Sequence, residues 1–416
     1  MNSYNPRYIA VKTLLYFFKN NVFSDILLDE TLEKTRLDDT SKRFFTRLFY
    51  GVIERKITLD FIIEKYSKTP LSKLDPEVKN ILRTGIYQLL FLDSVPDNAA
   101  VNESVKLCSE FRKTSAKGFV NALLRQFLRD KKCYNIPDGD LNVSLSIRYS
   151  VNPDIIASFI NDYGYEMTIG ILEHFNKPAV NYIKLNNRHY KESDLPEGFA
   201  GTDLAEVYST EKSINTGSEP FKNGVFHIED YSCLLACKKL SLTGNEDILD
   251  VCAAPGGKSF TLSESTSGTV YSCDISEKRV KLIEDGVKRL KLSNIKTLVA
   301  DGKIYNETFP MFSRILCDVP CSGLGVIAKK PDIRYKRTGD FTRLSDVQYN
   351  ILSNSTKYLS ENGILVYSTC TLRKAENEDV IDRFLKDNPE YKAETETIFP
   401  FDHNSDGFFV AVIRKI

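Results

Sequence analysis

The sequence predicts a multi-domain protein in which an all-α bundle precedes an α/β domain with a largely parallel, doubly wound sheet. The first observation is length, because 416 residues exceed one typical domain. The second is the helical spacing of apolar residues throughout residues 1–130. The third is the alternation of short β-rich segments with helical stretches after Asp247.

The helical domain is predicted to cover residues 1–135. Met1 to Lys19 has the pattern of an amphipathic helix rather than that of a secretory signal. Asn5-Pro6 and Asp75-Pro76 each place a capping side chain before a proline whose φ suits a first helical turn. Helices are therefore expected to begin at both prolines.

A change of pattern predicts the end of the bundle. Helical periodicity fails from Lys131 to Asn142, which contains a Pro-Asp-Gly turn signal. Asn152-Pro153 begins another predicted helix, and Val180–Leu185 and Val225–Ile228 are predicted strands. We therefore expect a small α+β subdomain over residues 145–240.

The α/β domain is predicted over residues 241–416 from five short β-rich runs, most of them followed by a helical stretch. Ligands bind at the carboxyl ends of the strands in such sheets, so the chemistry is expected there. The runs are Ile248–Val251, Val270–Cys273, Thr297–Ala300, Arg314–Cys317 and Ile364–Tyr367.

Composition indicates an ordinary globular chain, with 42% hydrophobic residues, 27% charged residues and a formal net charge of zero. Residues 1–140 nevertheless carry an excess of about five positive charges, a mild indication of an RNA-facing half. No apolar run approaches the roughly 18 residues that span a bilayer. The nine cysteines lack disulfide or metal-ligand spacing, and Cys273 and Cys317 lie in apolar strands. We expect a cytoplasmic, metal-free protein with reduced thiols.

The first strand of the α/β domain leads into a glycine-containing loop. Small residues and paired glycines before a helix let a ligand approach the backbone near the positive helix N-terminus, although a plain tight connection has the same composition. The loop matches neither the GxGxxG nor the GxxxxGK[ST] pattern. It reads Asp250-Val251-Cys252-Ala253-Ala254-Pro255-Gly256-Gly257-Lys258-Ser259.

Two aspartates close the next two strands, Asp274 and Asp301. An acidic residue at the position of Asp274 accepts hydrogen bonds from a ribose in nucleotide-binding sheets. One such aspartate is more often a cap or turn residue. A glycine loop followed by two aspartates in register favours an adenosine-containing cofactor, and the lack of phosphate-binding chemistry favours S-adenosyl-L-methionine (SAM) over NAD or ATP.

Two cysteines and a carboxylate end the last two predicted strands: Asp318 with Cys321, and Cys370. Either cysteine alone would more often be a buried small hydrophobe, but their shared edge favours a nucleophile. Methylation of cytosine at C5 is a reaction that needs such a nucleophile. Addition of a thiolate to C6 of the base makes C5 reactive toward a methyl sulfonium. Asp318 could hydrogen-bond to N3 of the base, and a second group could assist loss of the C5 proton and release of the thiol.

At these residues the sequence resembles the RsmB/Sun-type bacterial 16S rRNA cytosine-C5 methyltransferases, which carry an N-terminal NusB-like RNA-binding domain. The resemblance spans nearly the whole chain. It is carried by Asp250–Ser259, Asp318–Ile327, Lys330–Ile333, Tyr367–Leu372, Glu376–Glu378 and Asp406–Phe409, and in the helical part by Arg83–Leu90, Val95–Val105 and Lys117–Arg125.

The resemblance implies a seven-stranded, Rossmann-like, SAM-dependent sheet preceded by an RNA-recognition-like subdomain. It implies methylation of cytosine 967 of 16S rRNA, either free or in a small-subunit assembly intermediate. Cys370 would attack C6, Cys321 would assist release, and Asp318 would lie between cofactor and base; Lys258 is also expected to take part in catalysis. A monomer without membrane or metal partners is the default expectation. The implied cofactor pocket comprises Cys252, Ala253, Ala254, Pro255, Gly256, Gly257, Lys258, Asp274 for the ribose, Asp301 for the adenine side, and Asp318.

The sequence departs from the family at two places. Glu229-Asp230 stands where a Gln-Asp pair is usual, and Lys329-Lys330 stands where Arg or His is often found. Both sites are expected to touch RNA. Basic residues with a hypothesised phosphate-contacting role are Arg112, Lys113, Lys117, Arg125, Arg129, Lys329, Lys330, Arg334, Lys336 and Arg337, for each of which a solvated surface is an equal alternative.

Three other interpretations of the sequence stay open. DNA cytosine-C5 methyltransferases have their nucleophile after a proline, which would assign that role to Cys321 here. A non-catalytic NusB-like RNA-binding or transcription factor would explain the helices, but not the retained cysteines and acids. Another RNA cytosine could be the target of the same chemistry. Amino-methyltransferases fit less well, because they need no thiol.

Overall fold

The computed structural model describes residues 5–20 and 22–416, apart from the side chains of Thr338 and Asp340. The first four residues of the predicted amphipathic helix lie outside this description. The chain forms two compact units, one of residues 1–158 with 330–337 and the other of residues 159–329 with 338–416. The three-domain division expected from the sequence stays a prediction.

The first unit is helical, as predicted. Helices begin at Pro6, Pro76 and Pro153, which confirms the three proline signals. Asn5 caps its helix by accepting the Arg7 N–H at 3.0 Å, but the predicted side-chain cap from Asp75 is wrong. Its carboxylate instead pairs with Lys113 at 3.0 Å. The helices are α1 (Pro6–Asn20), α2 (Ser24–Lys34), α3 (Asp39–Glu54), α4 (Lys56–Tyr66), α5 (Pro76–Phe91), α6 (Asp97–Glu110), α7 (Lys117–Arg129), α8 (Leu141–Tyr149) and α9 (Pro153–Tyr163), which runs on into the second unit.

The helical unit has one continuous apolar core and a buried ion pair. Arg83 donates to both carboxylate oxygens of Asp60, at 2.6 and 2.7 Å. Residues 330–337 pack within this unit although they lie between two strands of the second unit in sequence. The Tyr335 hydroxyl bonds to the Ile53 carbonyl, and Asp332 accepts the Ser24 hydroxyl at 2.7 Å.

A small antiparallel sheet opens the second unit, in the order β2-β3-β1-β4. The predicted strands at 180–185 and 225–228 are present, shortened by one residue each. The other two were not predicted because they are short and lie in a polar loop. The elements are α10 (Tyr165–His174), β1 (Asn181–Leu185), β2 (Ala200–Gly201), β3 (Val207–Thr210), α11 (Glu219–Lys222), β4 (Phe226–Ile228) and α12 (Tyr231–Lys238).

The second sheet has seven strands in the order β10-β11-β9-β8-β5-β6-β7, which confirms the expected Rossmann-like architecture. Strands β9, β8, β5, β6 and β7 are parallel to one another, whereas β11 and β10 are antiparallel to their neighbours. The elements are β5 (Ile248–Asp250), α13 (Gly257–Ser265), β6 (Val270–Asp274), α14 (Glu277–Leu290), β7 (Ile295–Val299), β8 (Phe312–Asp318), α15 (Leu344–Ser355), β9 (Leu359–Thr369), α16 (Glu378–Asp387), β10 (Tyr391–Ile398) and β11 (Phe408–Lys415).

Helices cover both faces of this sheet, because alternate residues of its strands belong to different apolar clusters. On β8, Ile315 and Cys317 pack in the cluster that includes α15 and α16 residues. The intervening Leu316 packs in the cluster that includes α12 and α13 residues. Short 3-10 helices complete the chain at Leu71–Lys73, Thr114–Ala116, Glu192–Asp194, Pro331–Tyr335, Thr338–Phe341, Thr356–Tyr358 and Lys374–Glu376.

Two further expectations concern membrane-spanning helices and thiols. None of the described helices is long and apolar enough to cross a membrane. All nine cysteines are free thiols, and the predicted core thiols Cys273 and Cys317 are buried.

Candidate active site

The topology of the sheet brings the predicted site residues to one edge. Because β9, β8, β5, β6 and β7 run parallel, their carboxyl ends meet at the same side. Cys370 directly follows β9, Asp318 ends β8, the glycine-containing loop follows β5, Asp274 ends β6, and Asp301 follows β7 after one residue. The edge therefore carries every residue that the sequence marked at a strand end.

The loop after β5 is held by hydrogen bonds to its neighbours. The Ala253 N–H donates to the Cys273 carbonyl at 2.7 Å, and Arg279 donates to the Ala254 carbonyl at 2.6 Å. Gly256 has φ +118°, a conformation that L side chains rarely adopt. A Cβ at Gly257 would lie 1.7 Å from Glu229 Oε2, so a larger residue there would displace the Glu229 carboxylate.

Asp250 is a buried carboxyl beneath this loop. Its Oδ2 accepts the Ser259 hydroxyl at 2.7 Å, and Ser259 in turn accepts the Ser272 hydroxyl at 2.7 Å. Its Oδ1 is buried and lacks a hydrogen-bond partner within the part of the chain that the structure describes. Burial raises the pKa of Asp250 to about 7, against the opposing effect of the Ser259 hydrogen bond.

The two aspartates expected to contact an adenosine differ in their surroundings. Asp274 is 2% exposed, and its carboxylate accepts the Ser276 N–H at 3.0 Å and pairs with Arg279 at 3.0 Å. Asp301 borders a recess with apolar walls that include Val251. A Cβ at Gly302, in the same recess, would lie 2.7 Å from Val251 Cγ1, so the glycine keeps this space open.

Lys258 and Asp318 form an ion pair at the centre of the edge, with Nζ and Oδ2 2.9 Å apart. The other oxygen of Asp318 accepts the hydroxyl of Ser368 at 2.8 Å. Burial, the largest single influence, would lower the pKa of Lys258, but Asp318, Cys233 and Glu229 together outweigh it and raise that pKa well above its ordinary value. Lys258 therefore stays charged and keeps the carboxylate fixed.

The sulfurs of Cys321 and Cys370 lie 3.1 Å apart, within hydrogen-bond distance for thiols. Both side chains are partly exposed. The hydrogen bond with Cys321, followed by burial, raises the pKa of Cys370 well above its ordinary value, while Lys258 acts in the opposite direction. Cys370 therefore rests as a thiol, which has to lose its proton before it can act as a nucleophile.

The segment after Cys321 packs tightly against the chain around Cys370 and Gly407. The Gly325 N–H donates to the Cys370 carbonyl at 3.0 Å, and its carbonyl accepts the Gly407 N–H at 2.9 Å. A Cβ at Gly325 would lie 1.9 Å from the Gly407 oxygen. This contact explains why the segment after Cys321 has a glycine at position 325.

Lys329 ends this segment in a cluster of charges. Its ammonium binds the carboxylate of Asp230 and lies 3.1 Å from that of Asp406. Burial raises the pKa of Asp406 to about 7. The neighbouring Asp230 also raises this pKa, whereas Lys329 lowers it. The hypothesis that Lys329 contacts a phosphate is wrong for this conformation, because its charge is already paired inside the protein.

The other hypothesised phosphate contacts fall into distinct groups. Arg334 is 1% exposed and donates to the Tyr149 carbonyl at 3.1 Å, so its hypothesised phosphate role is wrong. Lys113 is paired with Asp75 and Glu77. Side chains that are exposed, as the hypothesis requires, are Arg112, Arg125, Arg129, Lys330 and Arg337.

Sequence reasoning missed several residues that shape the site. Ser368 orients Asp318, Arg279 holds both Asp274 and the loop after β5, and the buried Gln348 and Glu376 contact the Cys321 segment. Ser368 stands two residues before Cys370, so its strand position could have been noticed. Glu376 belongs to a motif that carried the resemblance, but no role was assigned to it. Arg279 and Gln348 come from helices distant in sequence, and no local pattern marked them.

Comparison with known proteins agrees with this description. Residues 4–129 match the NusB family, and residues 237–414 match the family described as 16S rRNA methyltransferase RsmB/F. A probable ribosomal RNA small subunit methyltransferase B of Bacillus subtilis is 31% identical, with all of both chains covered. The ribosomal RNA small subunit methyltransferase B of Proteus mirabilis is 30% identical, with 99% of both chains covered.

Solved structures extend the agreement to the fold. The crystal structure of PH0851 matches with a TM-score of 0.82 over 99% of both chains, at 23% identity. A methyltransferase homolog protein from Pyrococcus horikoshii matches with a TM-score of 0.58 over 67% of this chain and 100% of its own, at 25% identity. Fold and site together define a Rossmann-like methyltransferase fused to a NusB-type helical domain. The chain belongs to the ribosomal RNA small subunit methyltransferase B family, which confirms the predicted resemblance.

Proposed function

We propose that the protein transfers a methyl group from SAM to C5 of a cytosine in 16S rRNA, with Cys370 as the covalent nucleophile. The single observation that carries this proposal is the meeting of Cys370, Cys321 and Asp318 at one sheet edge. The 3.1 Å sulfur separation and the fixed Asp318 carboxylate supply a nucleophile, a second thiol and a hydrogen-bonding acid in reach of one base. A non-catalytic RNA-binding protein would not need this combination.

The residues on the other half of the edge fit SAM. The Asp274 carboxylate keeps free lone pairs after its bonds to Ser276 and Arg279, so it can accept ribose hydroxyls. Ile275, which follows it, is 61% exposed and offers an apolar surface for a purine. Gly256 and Gly257 have no side chains, so the backbone of the loop is accessible to a ligand. Asp301 borders the recess that Gly302 keeps open. When bound, SAM supplies an electrophilic methyl group on a sulfonium.

The roles of the two thiols follow from their environment. Cys370 starts as a thiol, so its proton must leave as the sulfur bonds to C6. This addition places negative charge on N3 of the base, and uptake of a proton at N3 balances the adduct. The Asp318 carboxylate is fixed by Lys258 and Ser368, so it can accept a hydrogen bond from the protonated N3 and stabilise the adduct. After methyl transfer the proton on C5 must be removed as the bond between C6 and the Cys370 sulfur breaks, and Cys321 lies close enough to Cys370 to assist this elimination.

The target base has to leave its stack, because C6 is not accessible to a thiolate inside a stacked helix. We propose cytosine 967 of 16S rRNA as the target, the nucleotide that the sequence resemblance implies. Free rRNA and a small-subunit assembly intermediate are the two substrates to compare. Methylation of another cytosine in the same assay would leave the chemistry in place and change only the target.

A denaturing-gel assay with SAM and 16S rRNA fragments tests the proposal. We expect Cys321→Ala to accumulate a covalent protein–RNA adduct, and Cys370→Ala to lose both the adduct and methylation. If Cys370→Ala accumulates the adduct instead, the two cysteines have the opposite roles. If the wild-type protein methylates no rRNA cytosine, the binding-protein interpretation replaces the enzymatic one.

A further inference from the structure

A buried pair of side chains, Gln348 and Glu376, holds the backbone on both sides of Cys321. Gln348 Nε2 donates to the Pro320 carbonyl at 3.0 Å and to Glu376 Oε2 at 3.1 Å. The same Glu376 oxygen accepts the N–H of Ser322 at 2.8 Å. The residue before Cys321 and the residue after it are therefore bound to one polar pair.

Glu376 is in turn anchored to the chain that carries Cys370. Its Oε1 accepts Arg373 at 3.1 Å, and its carbonyl accepts the hydroxyl of Tyr367 at 2.7 Å. Tyr367 lies on β9, three residues before Cys370, and is fully buried. The pair thus links the Cys321 segment to the strand that presents Cys370.

Burial makes this link rigid. Gln348 is 0% exposed and Glu376 is 1% exposed, whereas Cys321 and Cys370 are partly exposed. Buried hydrogen bonds to a carboxylate are stronger than those in water, and a buried polar network specifies one arrangement of the groups that it joins. A second link, between the hydroxyls of Ser322 and Thr371 at 2.8 Å, joins the residues that follow the two cysteines.

We propose that Gln348 and Glu376 are positioning residues that set the distance between the Cys321 and Cys370 sulfurs. This inference rests on the proposed function and deepens it. The pair holds Cys321 where it can assist release of the methylated base from Cys370. Neither residue needs to touch the RNA or the cofactor for this role.

The first test uses Gln348→Met, which keeps the volume but removes the amide, and Glu376→Gln, which removes the charge. Since a misplacement of about 1 Å can cost on the order of a hundredfold in rate, we expect the ratio of covalent adduct to released methylated RNA to rise roughly ten- to a hundredfold. Leu352→Ala is the control, because Leu352 is a buried apolar residue of the same helix in the adjoining core. It should lower stability without changing the ratio.

A second measurement requires neither RNA nor turnover. Diamide oxidises two neighbouring thiols to a disulfide, and mass spectrometry of the Cys321–Cys370 peptide pair gives the rate. We expect the wild-type protein and Leu352→Ala to form this disulfide readily, and Gln348→Met and Glu376→Gln to form it more slowly.

The outcomes separate the inference from the function on which it rests. If both variants lose adduct and product in parallel, and their disulfide rates match that of wild type, the pair is only structural and the inference is overturned. If Cys321→Ala never forms an adduct through Cys370, the proposed function fails and the inference fails with it. A raised ratio together with a slower disulfide rate supports both.

Discussion

The Lys258 ammonium lies 2.9 Å from the Asp318 carboxylate, although the two residues come from different elements of the sheet domain. Lys258 is the second residue of α13, and Asp318 is the last residue of β8. The side chains are only 14% and 24% exposed, so water screens the pair weakly. The lysine, which the sequence marked both as a pocket residue and as a catalytic one, thus fixes the acid proposed to bind the target base.

Removal of this ammonium should therefore affect stability and catalysis together. Lys258→Met leaves Asp318 without its charged partner, and we expect a loss of about 2–3 kcal/mol in the free energy of unfolding at pH 7. Methylation should fall with it. The double variant Lys258→Met/Asp318→Asn no longer has the uncompensated charge and should recover part of the stability, as measured by urea unfolding. A double variant that is no more stable than the single one would contradict this account.

Asp250 predicts how stability depends on pH. Its carboxyl has a pKa of about 7 in the folded protein, because of burial, against about 3.9 in an unfolded chain. The folded state thus binds this proton more tightly, so the stabilisation is full at low pH and is lost as pH rises through 7. Relative to Asp250→Asn, the wild-type protein should lose roughly 2 kcal/mol between pH 5 and pH 8.

Chemical unfolding at a series of pH values measures this difference. Asp285→Asn is the matched control, because Asp285 is an exposed aspartate of the same unit. The free energy of unfolding of Asp285→Asn should depend on pH in the same way as that of the wild-type protein. If the free energy of unfolding of Asp250→Asn also depends on pH as that of the wild-type protein does, the Asp250 carboxyl is ionised in the folded protein throughout this range.

The central strands were predictable because burial on both faces gives each a continuous apolar run. The edge strand β10 was not predicted: its sequence, Tyr391–Ile398, alternates exposed Lys, Glu and Thr residues, which suits an edge and resembles a loop. Strand β11 joins the sheet antiparallel after a loop instead of a helix, so a search for strand–helix alternation passed over it.

The site was predictable to the same extent. Asp274, Asp301, Asp318 and Cys370 follow from the rule that chemistry gathers at strand ends. Gln348 and Glu376 do not, because each reaches the Cys321 segment across a gap of 28 or 54 residues in sequence. Contacts of this kind depend on how helices pack on the sheet, so a local sequence pattern does not predict them.

A substitution of Gly325 tests how closely the segment after Cys321 packs against the C-terminal motif around Gly407. In Gly325→Ala the added Cβ would lie 1.9 Å from the Gly407 carbonyl oxygen and 2.9 Å from that of Cys370, both of them backbone atoms that cannot rotate away. We expect a loss of about 3 kcal/mol or more in stability, with loss of methylation. Calorimetry gives the stability, and the gel assay gives the activity.

Gly118→Ala provides the comparison for Gly325→Ala. Gly118 lies in the first turn of α7, where a Cβ would meet nothing within 4 Å. An alanine there should leave methylation unchanged and raise the stability of the helical unit by up to about 1 kcal/mol. Equal effects of the two substitutions would contradict the steric account of Gly325.

The exposed arginines of α7 predict how RNA affinity depends on salt. Arg125 and Arg129 are exposed, and their only hydrogen bonds within the described residues are to neutral side chains of the same helix. Each phosphate contact changes the slope of log affinity against log salt by about 0.7–0.9. We expect Arg125→Glu/Arg129→Glu to weaken binding of 16S rRNA fragments and to make this slope shallower by about 1.5.

The control for that experiment is a charge reversal elsewhere on the same unit. Lys34 is exposed on α2 and is paired with Glu30 at 3.0 Å, so Lys34→Glu changes the net charge by as much as one of the arginine reversals without removing a proposed contact. Fluorescence anisotropy at several salt concentrations gives the slope for each protein. If Lys34→Glu changes the slope as much per charge as the arginine reversals do, the effect reflects net charge alone and α7 is not the RNA-binding surface.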